Sequence, residues 1–203
     1  AEFETVRYEE QAGVAWITLD RPEVHNAFNA TMARELQTIW RSLRTNGDVN
    51  CAVLTAAGEK AFCTGIDRSD INVDWADELA ATGAQSDAAD GTVGFASPFM
   101  FDDPGQYLGP KGNDLWKPVI AAVNGMACGG AFYMLGEVEF IIAADHATFF
   151  DPHVSYGMPT AFEPIHMLHK VPFPEIMRIS IAGNAERMSA ERAHQIGLVS
   201  EVC

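Results

Sequence analysis

The sequence has 203 residues, enough for one sizeable domain, and its 13 basic and 28 acidic side chains give a net charge of −15. This charge argues against DNA, RNA or an anionic membrane surface as a partner, because such partners are bound by clustered lysine and arginine. The longest apolar runs are strand-sized, so we expect no membrane-spanning segment. The four cysteines form no CxxC pair, and we therefore expect free thiols and a cytoplasmic location.

The first third of the chain predicts a hairpin, a helix and a buried strand. Residues 3–8 and Val14–Leu19 have strand character and are joined by a turn at residues 9–13. Asn29 is expected to cap a helix that Asn46-Gly47 ends in the left-handed conformation. The apolar face of this helix would consist of Met32, Leu36, Ile39, Trp40 and Leu43. Cys51–Thr55 is typical of a strand in a parallel sheet.

The rest of the chain alternates loops, strands and short helices. Residues 56–71 predict a glycine-containing loop that runs into a possible helix. The acidic, proline-containing residues 72–113 predict a mobile insertion with a helix near Asp74–Ala81. Strands are expected at Val119–Val123 and Phe140–Ala144, and helices at 129–135, 161–169, 173–182 and between Ser189 and Gly197. Strand-turn-helix units therefore recur, which predicts an α/β domain of stacked ββα turns.

Two glycine-bearing segments, Lys60–Asp67 and Ala121–Ala131, each combine a buried strand with a turn and a helix start. Backbone N–H groups of two such turns, facing each other, would stabilise a developing oxyanion. Either segment alone is equally typical of a tight connection without function. The glycine spacing of the second segment fits neither a dinucleotide fingerprint nor a phosphate-binding P-loop.

Four blocks in order resemble the enoyl-CoA hydratase/isomerase (crotonase) superfamily over essentially the whole chain. They read T-L-D-R-P-x-x-x-N-A-F at Thr18–Phe28, A-F-C-x-G-x-D at Ala61–Asp67, K-P-V-I-A-A-V-N-G-x-A-x-G-G at Lys117–Gly130, and L-V-S-E-V at Leu198–Val202. The resemblance implies a crotonase-like spiral of ββα turns over residues 1–183, with the insertion at 72–113. Residues 184–203 would begin a C-terminal helical region that is expected to be truncated. The resemblance also implies assembly as a homotrimer or hexamer.

The resemblance also implies a substrate and the residues that hold it. The substrate would be an acyl-CoA, with coenzyme A as part of the substrate and with neither a separate cofactor nor a metal. The N–H groups of Ile66 and Gly130 would hold the thioester oxygen. The coenzyme A path would be lined by Asn26, Ala27, Thr64, Gly65, Ile66, Asp67 and Arg68. Of these, Asp67 is expected mainly to hold its own loop.

The sequence departs from the family at the two glutamates with which its hydratases hold and deprotonate water. These positions fall at Tyr133 and His153. His153 is the leading replacement as acid or base, Tyr133 could donate a hydrogen bond, and Glu163 is a third candidate. Each also has a simpler interpretation, respectively as a loop histidine, a core tyrosine and a helix-start acid.

Other chemistries are less favoured. A catalytic pair at Asp102-Asp103 and a metal site of Asp145, His146, Asp151 and His153 lack the expected spacing or context. Cys63 and Cys128 are expected to pack beside the site and not to attack the substrate. Four interpretations stay open: an acyl-CoA hydratase or isomerase, a thioester or C–C hydrolase that uses His153, a non-catalytic acyl-CoA carrier, and a scaffold without a small ligand.

Overall fold

The computed structural model describes residues 2–69 and 105–203. Several predictions made from the sequence fall outside these described residues. They are the helix near Asp74–Ala81, most of the insertion at 72–113, and the acid pair Asp102-Asp103.

In chain order the strands are β1 (Val6–Gln11), β2 (Val14–Leu19), β3 (Cys51–Ala56), β4 (Ala61–Cys63), β5 (Val119–Val123), β6 (Met126–Cys128), β7 (Phe140–Ala143), β8 (Thr148–Phe150), β9 (Met188–Ser189) and β10 (Glu201–Val202). The helices are α1 (Ala30–Thr45), α2 (Gly105–Leu108), α3 (Ala131–Glu137), α4 (Phe162–Met167), α5 (Phe173–Ala182) and α6 (Ala190–Gln195). Three short 3₁₀ helices cover Pro22–Val24, His153–Tyr156 and Gly183–Ala185.

The strands form two sheets, and consecutive strands from β3 to β8 alternate between them. The larger sheet has the order β1-β2-β3-β5-β7-β10 and the smaller one the order β4-β6-β8-β9. The units β5-β6-α3 and β7-β8-α4 each place one strand in each sheet and then a helix. The predicted α/β fold of repeated ββα turns is therefore confirmed. The buried side chains of both sheets and of α1 form one continuous hydrophobic core.

The N-terminal hairpin is confirmed, with a tighter turn than the sequence predicted. β1 continues to Gln11 and pairs antiparallel with β2, so that Gln11 lies opposite Val14. The two-residue turn is Ala12-Gly13, with positive φ angles of 52° and 80°. This primed turn matches the twist of the paired strands, which allows them to stay paired up to its edge.

Helix α1 confirms the predicted cap and apolar face. Asn29 Oδ1 accepts a hydrogen bond of 3.0 Å from Met32 N–H, which satisfies one of the free donors at the helix start. Met32, Leu36 and Trp40 are completely buried. The predicted left-handed end is wrong: Asn46 is extended, with φ −76° and ψ 100°. The Asn46 backbone oxygen instead accepts a hydrogen bond from Lys117 Nζ.

The buried strand expected within Lys60–Asp67 is β4, which interrupts the loop predicted at residues 56–71, and the sequence missed β6, β8 and β9. Each has two or three residues, which is too short for an alternating pattern to be recognised. At the C-terminal end, Ser189 Oγ caps α6 by accepting from Arg192 N–H at 3.2 Å, and Gly197 follows with φ +88°. The segment predicted to begin a C-terminal region contributes β9 to the smaller sheet and β10 to the larger one.

The four cysteines are free thiols. Within the described ranges, no helix has both the length and the apolar character that crossing a membrane requires.

Replacement of Leu36 by alanine should lower the free energy of unfolding by about 2–5 kcal/mol, because it leaves a cavity in the core beneath α1. The matched control is Arg41→Ala on the exposed face of the same helix. That control should change the free energy of unfolding by no more than about 0.5 kcal/mol. Urea denaturation followed by circular dichroism measures both, and equal effects of the two variants would contradict the predicted packing.

Candidate functional site

Three neighbouring parallel strands of the smaller sheet end at the same edge. β4 pairs in parallel with β6, and β6 pairs in parallel with β8. The chain leaves these strands at Thr64–Ile66, at Gly129-Gly130 and at Asp151–His153 respectively. Ligands of α/β proteins commonly bind outside the carboxyl ends of parallel strands. The strand order therefore brings together the two glycine-bearing turns and His153.

A cavity of about 250 Å³ opens at this edge. Its described walls come from the segment before α1, from all three strand ends, from α3 and from the chain that follows β8. They are Phe28, Thr64, Gly65, Ile66, Arg68, Gly129, Gly130, Tyr133, Pro152, His153, Tyr156, Met158 and Glu163. All five predicted catalytic residues, Ile66, Gly130, Tyr133, His153 and Glu163, thus line one cavity.

The two glycine-bearing turns approach each other closely. Gly65 has φ +85°, and a Cβ atom placed on it would lie 3.1 Å from Gly130 N and 3.4 Å from the Cys128 backbone oxygen. A Cβ on Gly130 would lie 2.5 Å from Phe28 Cε1. Glycine at both positions is therefore required by backbone conformation or by space.

The backbone hydrogen bonds on either side of Ile66 do not use its N–H group. Phe28 N–H donates to the Gly65 oxygen at 2.9 Å, and Asp67 N–H donates to the Phe28 oxygen at 2.8 Å. This parallel bridge uses the neighbours of Ile66 and fixes the direction of its peptide plane. Gly130 is the residue that precedes α3, where backbone N–H groups have no partner within the helix.

His153 lies between two acidic side chains. Its Nδ1 is 2.6 Å from Asp151 Oδ1, and its Nε2 is 3.5 Å from Glu163 Oε1. The hydrogen bond to Asp151 raises the pKa of His153 above its ordinary value, and the charges of Asp151 and Glu163 act in the same direction against partial burial. Both carboxylates therefore stabilise the imidazolium form relative to that of an isolated histidine.

Glu163 and Tyr133 form part of the same wall. Glu163 lies in the first turn of α4 and is only 5% exposed, which is unusual for a carboxylate that merely begins a helix. Tyr133 is also buried, and its ring meets the His166 ring edge-on with centroids 5.5 Å apart. The position and burial of Glu163 fit a functional carboxylate. Those of Tyr133 fit a residue of the cavity wall.

The residues predicted for the coenzyme A path divide into two groups. Thr64, Gly65, Ile66 and Arg68 line the cavity, and the Arg68 guanidinium lies 4.6 Å from the centre of the Tyr156 ring. Asn26, Ala27 and Asp67 are buried and lie outside its described lining. Asn26 instead borders a neighbouring depression of about 290 Å³ that also includes Lys60 and His25.

The buried polar residues of this group hold the loops in place. Asn26 Nδ2 donates to the Ala57 and Ala61 backbone oxygens, each at 2.9 Å. Asp67 accepts from Ser69 Oγ at 2.6 Å and forms an ion pair with Arg21 at 3.0 Å. The hydrogen bond from Ser69 lowers the pKa of Asp67 most strongly. The hydrogen bond and the positive charge of Arg21 lower it further. Both side chains thus fix the turn that presents Ile66.

Asp151 belongs to the site, although the sequence suggested it only as a metal ligand. Asp151, His153 and Glu163 offer three potential ligand atoms within 4.8 Å of one another. However, the two carboxylates face opposite nitrogens of the imidazole ring. A chain of hydrogen-bonding groups fits this arrangement better than a single metal ion. The proposed partners Asp145 and His146 form a separate, exposed pair at 3.3 Å.

The family model described as enoyl-CoA hydratase/isomerase matches residues 9–89 and 103–203. The chain is 32% identical over 189 residues to "(E)-benzylidenesuccinyl-CoA hydratase" of Thauera aromatica, covering 93% of this chain and 66% of that protein. It is 34% identical over 200 residues to "Carnitinyl-CoA dehydratase" of Salmonella arizonae, covering 98% of this chain and 68% of that protein. It therefore spans about two thirds of the length of these curated relatives.

Solved structures agree with this similarity. An enoyl-CoA hydratase/isomerase from Mycobacterium paratuberculosis superposes with a TM-score of 0.79 at 31% identity, over 99% of this chain and 69% of that one. A carnitinyl-CoA dehydratase from Mycobacterium avium 104 superposes with a TM-score of 0.72 at 27% identity, over 98% of this chain and 70% of that one.

Cys63 and Cys128 should not react with iodoacetamide in the native protein at pH 8. Burial raises the pKa of each thiol to about 12, so hardly any reactive thiolate is present. The exposed Cys203 should be alkylated, and all four cysteines should be alkylated in denaturant. Peptide mass spectrometry identifies the sites. Rapid native alkylation of Cys128 would indicate an activated thiol and contradict a packing role.

Proposed function

The chain belongs to the enoyl-CoA hydratase/isomerase family, the crotonase superfamily, and from this premise we propose that it adds water to, or removes it from, an acyl-CoA thioester. Two of the relatives are named as a hydratase and a dehydratase of CoA thioesters. In this proposal the thioester oxygen lies between the N–H groups of Ile66 and Gly130. Coenzyme A is part of the substrate, and no separate cofactor is needed.

The close approach of Gly65 to Gly130 is the observation that carries the proposal. It leaves no side chain between the two turns, so a carbonyl oxygen could reach donors from both. When a nucleophile adds to the β carbon of an enoyl thioester, negative charge develops on that oxygen. A fixed backbone donor is worth about 3 kcal/mol of transition-state stabilisation in comparable sites.

His153 and Glu163 are proposed as the acid and the base. The Glu163 carboxylate accepts a proton from water as the water oxygen bonds to the β carbon. The π electrons move onto the thioester oxygen as an enolate, and the Nε2–H of the His153 imidazolium then protonates the α carbon. Proton transfer from Glu163 to Nε2, across the observed 3.5 Å, restores the starting state. Dehydration is the reverse sequence.

The described cavity walls would accommodate an apolar acyl group. Phe28, Tyr133, Tyr156 and Met158 supply apolar surface, whereas Arg68 is placed at an exposed position of the lining. The homotrimeric or hexameric assembly and the cytoplasmic location stay predictions from the sequence.

The proposal is tested by incubating the protein with a panel of 2-enoyl-CoA thioesters and following the loss of the conjugated thioester absorbance. Mass spectrometry should show a product heavier by one water. His153→Gln should lower kcat by about 10²- to 10⁴-fold, because it removes the acid, and should change KM little. The matched control is His169→Gln at an exposed position, which should retain wild-type kcat.

The outcomes separate the remaining interpretations. Binding of acyl-CoA without turnover of any thioester would favour the non-catalytic carrier and contradict the proposed reaction. Release of free coenzyme A would indicate thioester hydrolysis, and a product of unchanged mass would indicate double-bond isomerisation. Absence of acyl-CoA binding would leave the scaffold interpretation.

Gly65→Ala should reduce kcat by about 10²- to 10³-fold, because its methyl group would lie against Gly130 N and disturb one or both donors. Gly197→Ala is the matched control. It introduces the same strain at φ +88°, but its methyl group would meet only the Lys170 oxygen at 4.0 Å. The control should lose stability and keep kcat. Equal kcat values for both variants would argue against the proposed oxyanion site.

A further inference from the structure

The Asp151 side chain lies directly behind the proposed acid. It follows β8, its side chain is 2% exposed, and it lies outside the described lining of the cavity. It therefore cannot touch a substrate held in that cavity. Any contribution to the reaction must act through a neighbouring residue.

The contacts of Asp151 converge on one of its oxygens. Oδ1 accepts from the His153 backbone N–H at 2.9 Å, from His153 Nδ1 at 2.6 Å and from Thr160 Oγ1 at 3.3 Å. Oδ2 is buried and accepts no hydrogen bond from the described residues. A buried carboxylate is costly unless a neighbouring positive charge compensates it, and the His153 ring is placed to supply that charge.

These contacts determine which ring nitrogen of His153 can exchange a proton with the cavity. An ionised carboxylate only accepts hydrogen bonds, so the short contact requires a proton on Nδ1. Nε2 is then the nitrogen whose proton can be given away and recovered, and it faces Glu163 at the cavity wall. The two bonds from Asp151 to one residue also fix the direction of the ring.

We propose that Asp151 is a positioning residue that holds His153 with Nδ1 protonated and with Nε2 directed toward Glu163 and the substrate. The consequence of this positioning for catalysis rests on the proposed function. The effect of Asp151 on the protonation of the His153 ring does not. Asp151 supports the positive charge that His153 must carry as an acid. Asp151, His153 and Glu163 then form one chain of groups from the buried edge of β8 to the cavity.

The polar surroundings of His153 limit which groups can influence its titration. Asp151 faces it from its own turn and Glu163 from α4. Among the described residues, the other titratable or charged groups that line the same cavity come from α3, from the turn after β4 and from the 3₁₀ helix that begins at His153. They are Tyr133, Arg68 and Tyr156.

The test is Asp151→Asn, which keeps the shape of the side chain and removes its charge. Because an acid works only while protonated, wild-type activity should fall as the pH rises through the pKa of His153. The variant should lose support for the imidazolium, so this alkaline limb should move to lower pH. The Asp151→Asn substitution should also lower kcat by about 10²- to 10⁴-fold with little change in KM. A lower kcat with an unchanged pH profile would indicate a merely structural role and overturn the proposal.

The matched control is Asp145→Asn, which removes the carboxylate of the exposed Asp145–His146 pair. Both kcat and the pH profile should stay at wild-type values. An equal shift of the alkaline limb in this control would show that the shift reflects net charge and would overturn the assignment to Asp151.

A second measurement does not depend on turnover, and its wild-type part does not depend on the folding of the Asp151→Asn variant. Long-range ¹H–¹⁵N spectra report the tautomer and titration of each of the six histidines, and His153→Gln assigns the relevant signal. Wild-type His153 should carry a proton on Nδ1, and in Asp151→Asn it should titrate at lower pH. A neutral ring protonated on Nε2 in the wild type would overturn the proposal. Failure of every enoyl-CoA to react would remove the proposed function and leave this readout to decide the role of Asp151.

Discussion

The site depends on the close approach of two backbone turns at the carboxyl ends of parallel strands. β4, β6 and β8 are neighbours in the smaller sheet, so the chain segments that follow them must share one edge. Gly65 and Gly130 then approach so closely that a single methyl group on the first would lie against the amide of the second. Because the backbone supplies the proposed oxyanion donors, their positions follow from the strand ends and do not depend on the rotamer of a donor side chain. The buried hydrogen bonds of Asn26 and Asp67 support one of these turns from behind.

In the proposed reaction the acid and the base come from two different elements. The turn after β8 carries His153 where the resemblance expects a glutamate, and a carboxylate enters the cavity from α4 as Glu163. An imidazolium beside a carboxylate has no net charge, whereas a glutamate pair that shares one proton has a charge of −1. The additional charge of Asp151 behind His153 therefore gives the group of three the same net charge as such a pair. The negative charge of the buried Asp151 is thus balanced by the positive charge that His153 is proposed to carry at the cavity.

Prediction from the sequence succeeded where local chemistry and periodicity agreed. Asn29 and Ser189 gave the helix starts, and the apolar spacing of Met32, Leu36 and Trp40 gave the buried face of α1. The resemblance also named eight residues that line one cavity, the five catalytic candidates among them. The strands β6, β8 and β9 were missed because runs of two or three residues have no readable alternation. The extended end of α1 was missed because it depends on Lys117, far away in the sequence. The proposed role of Asp151 could not be read from Asp-Pro-His alone, because it also depends on the direction of the His153 ring and on Glu163, which approaches Nε2 from α4.

The central claim is that two backbone N–H groups polarise a bound thioester carbonyl, and infrared spectroscopy of that carbonyl tests it most directly. The measurement uses an unreactive saturated acyl-CoA labelled with ¹³C at the carbonyl carbon, so that difference spectra isolate its stretching band. Two donors from Ile66 and Gly130 should lower the frequency of this band on binding relative to the ligand in water. A bound ligand whose carbonyl band stays at its value in water, or moves to higher frequency, would contradict the account.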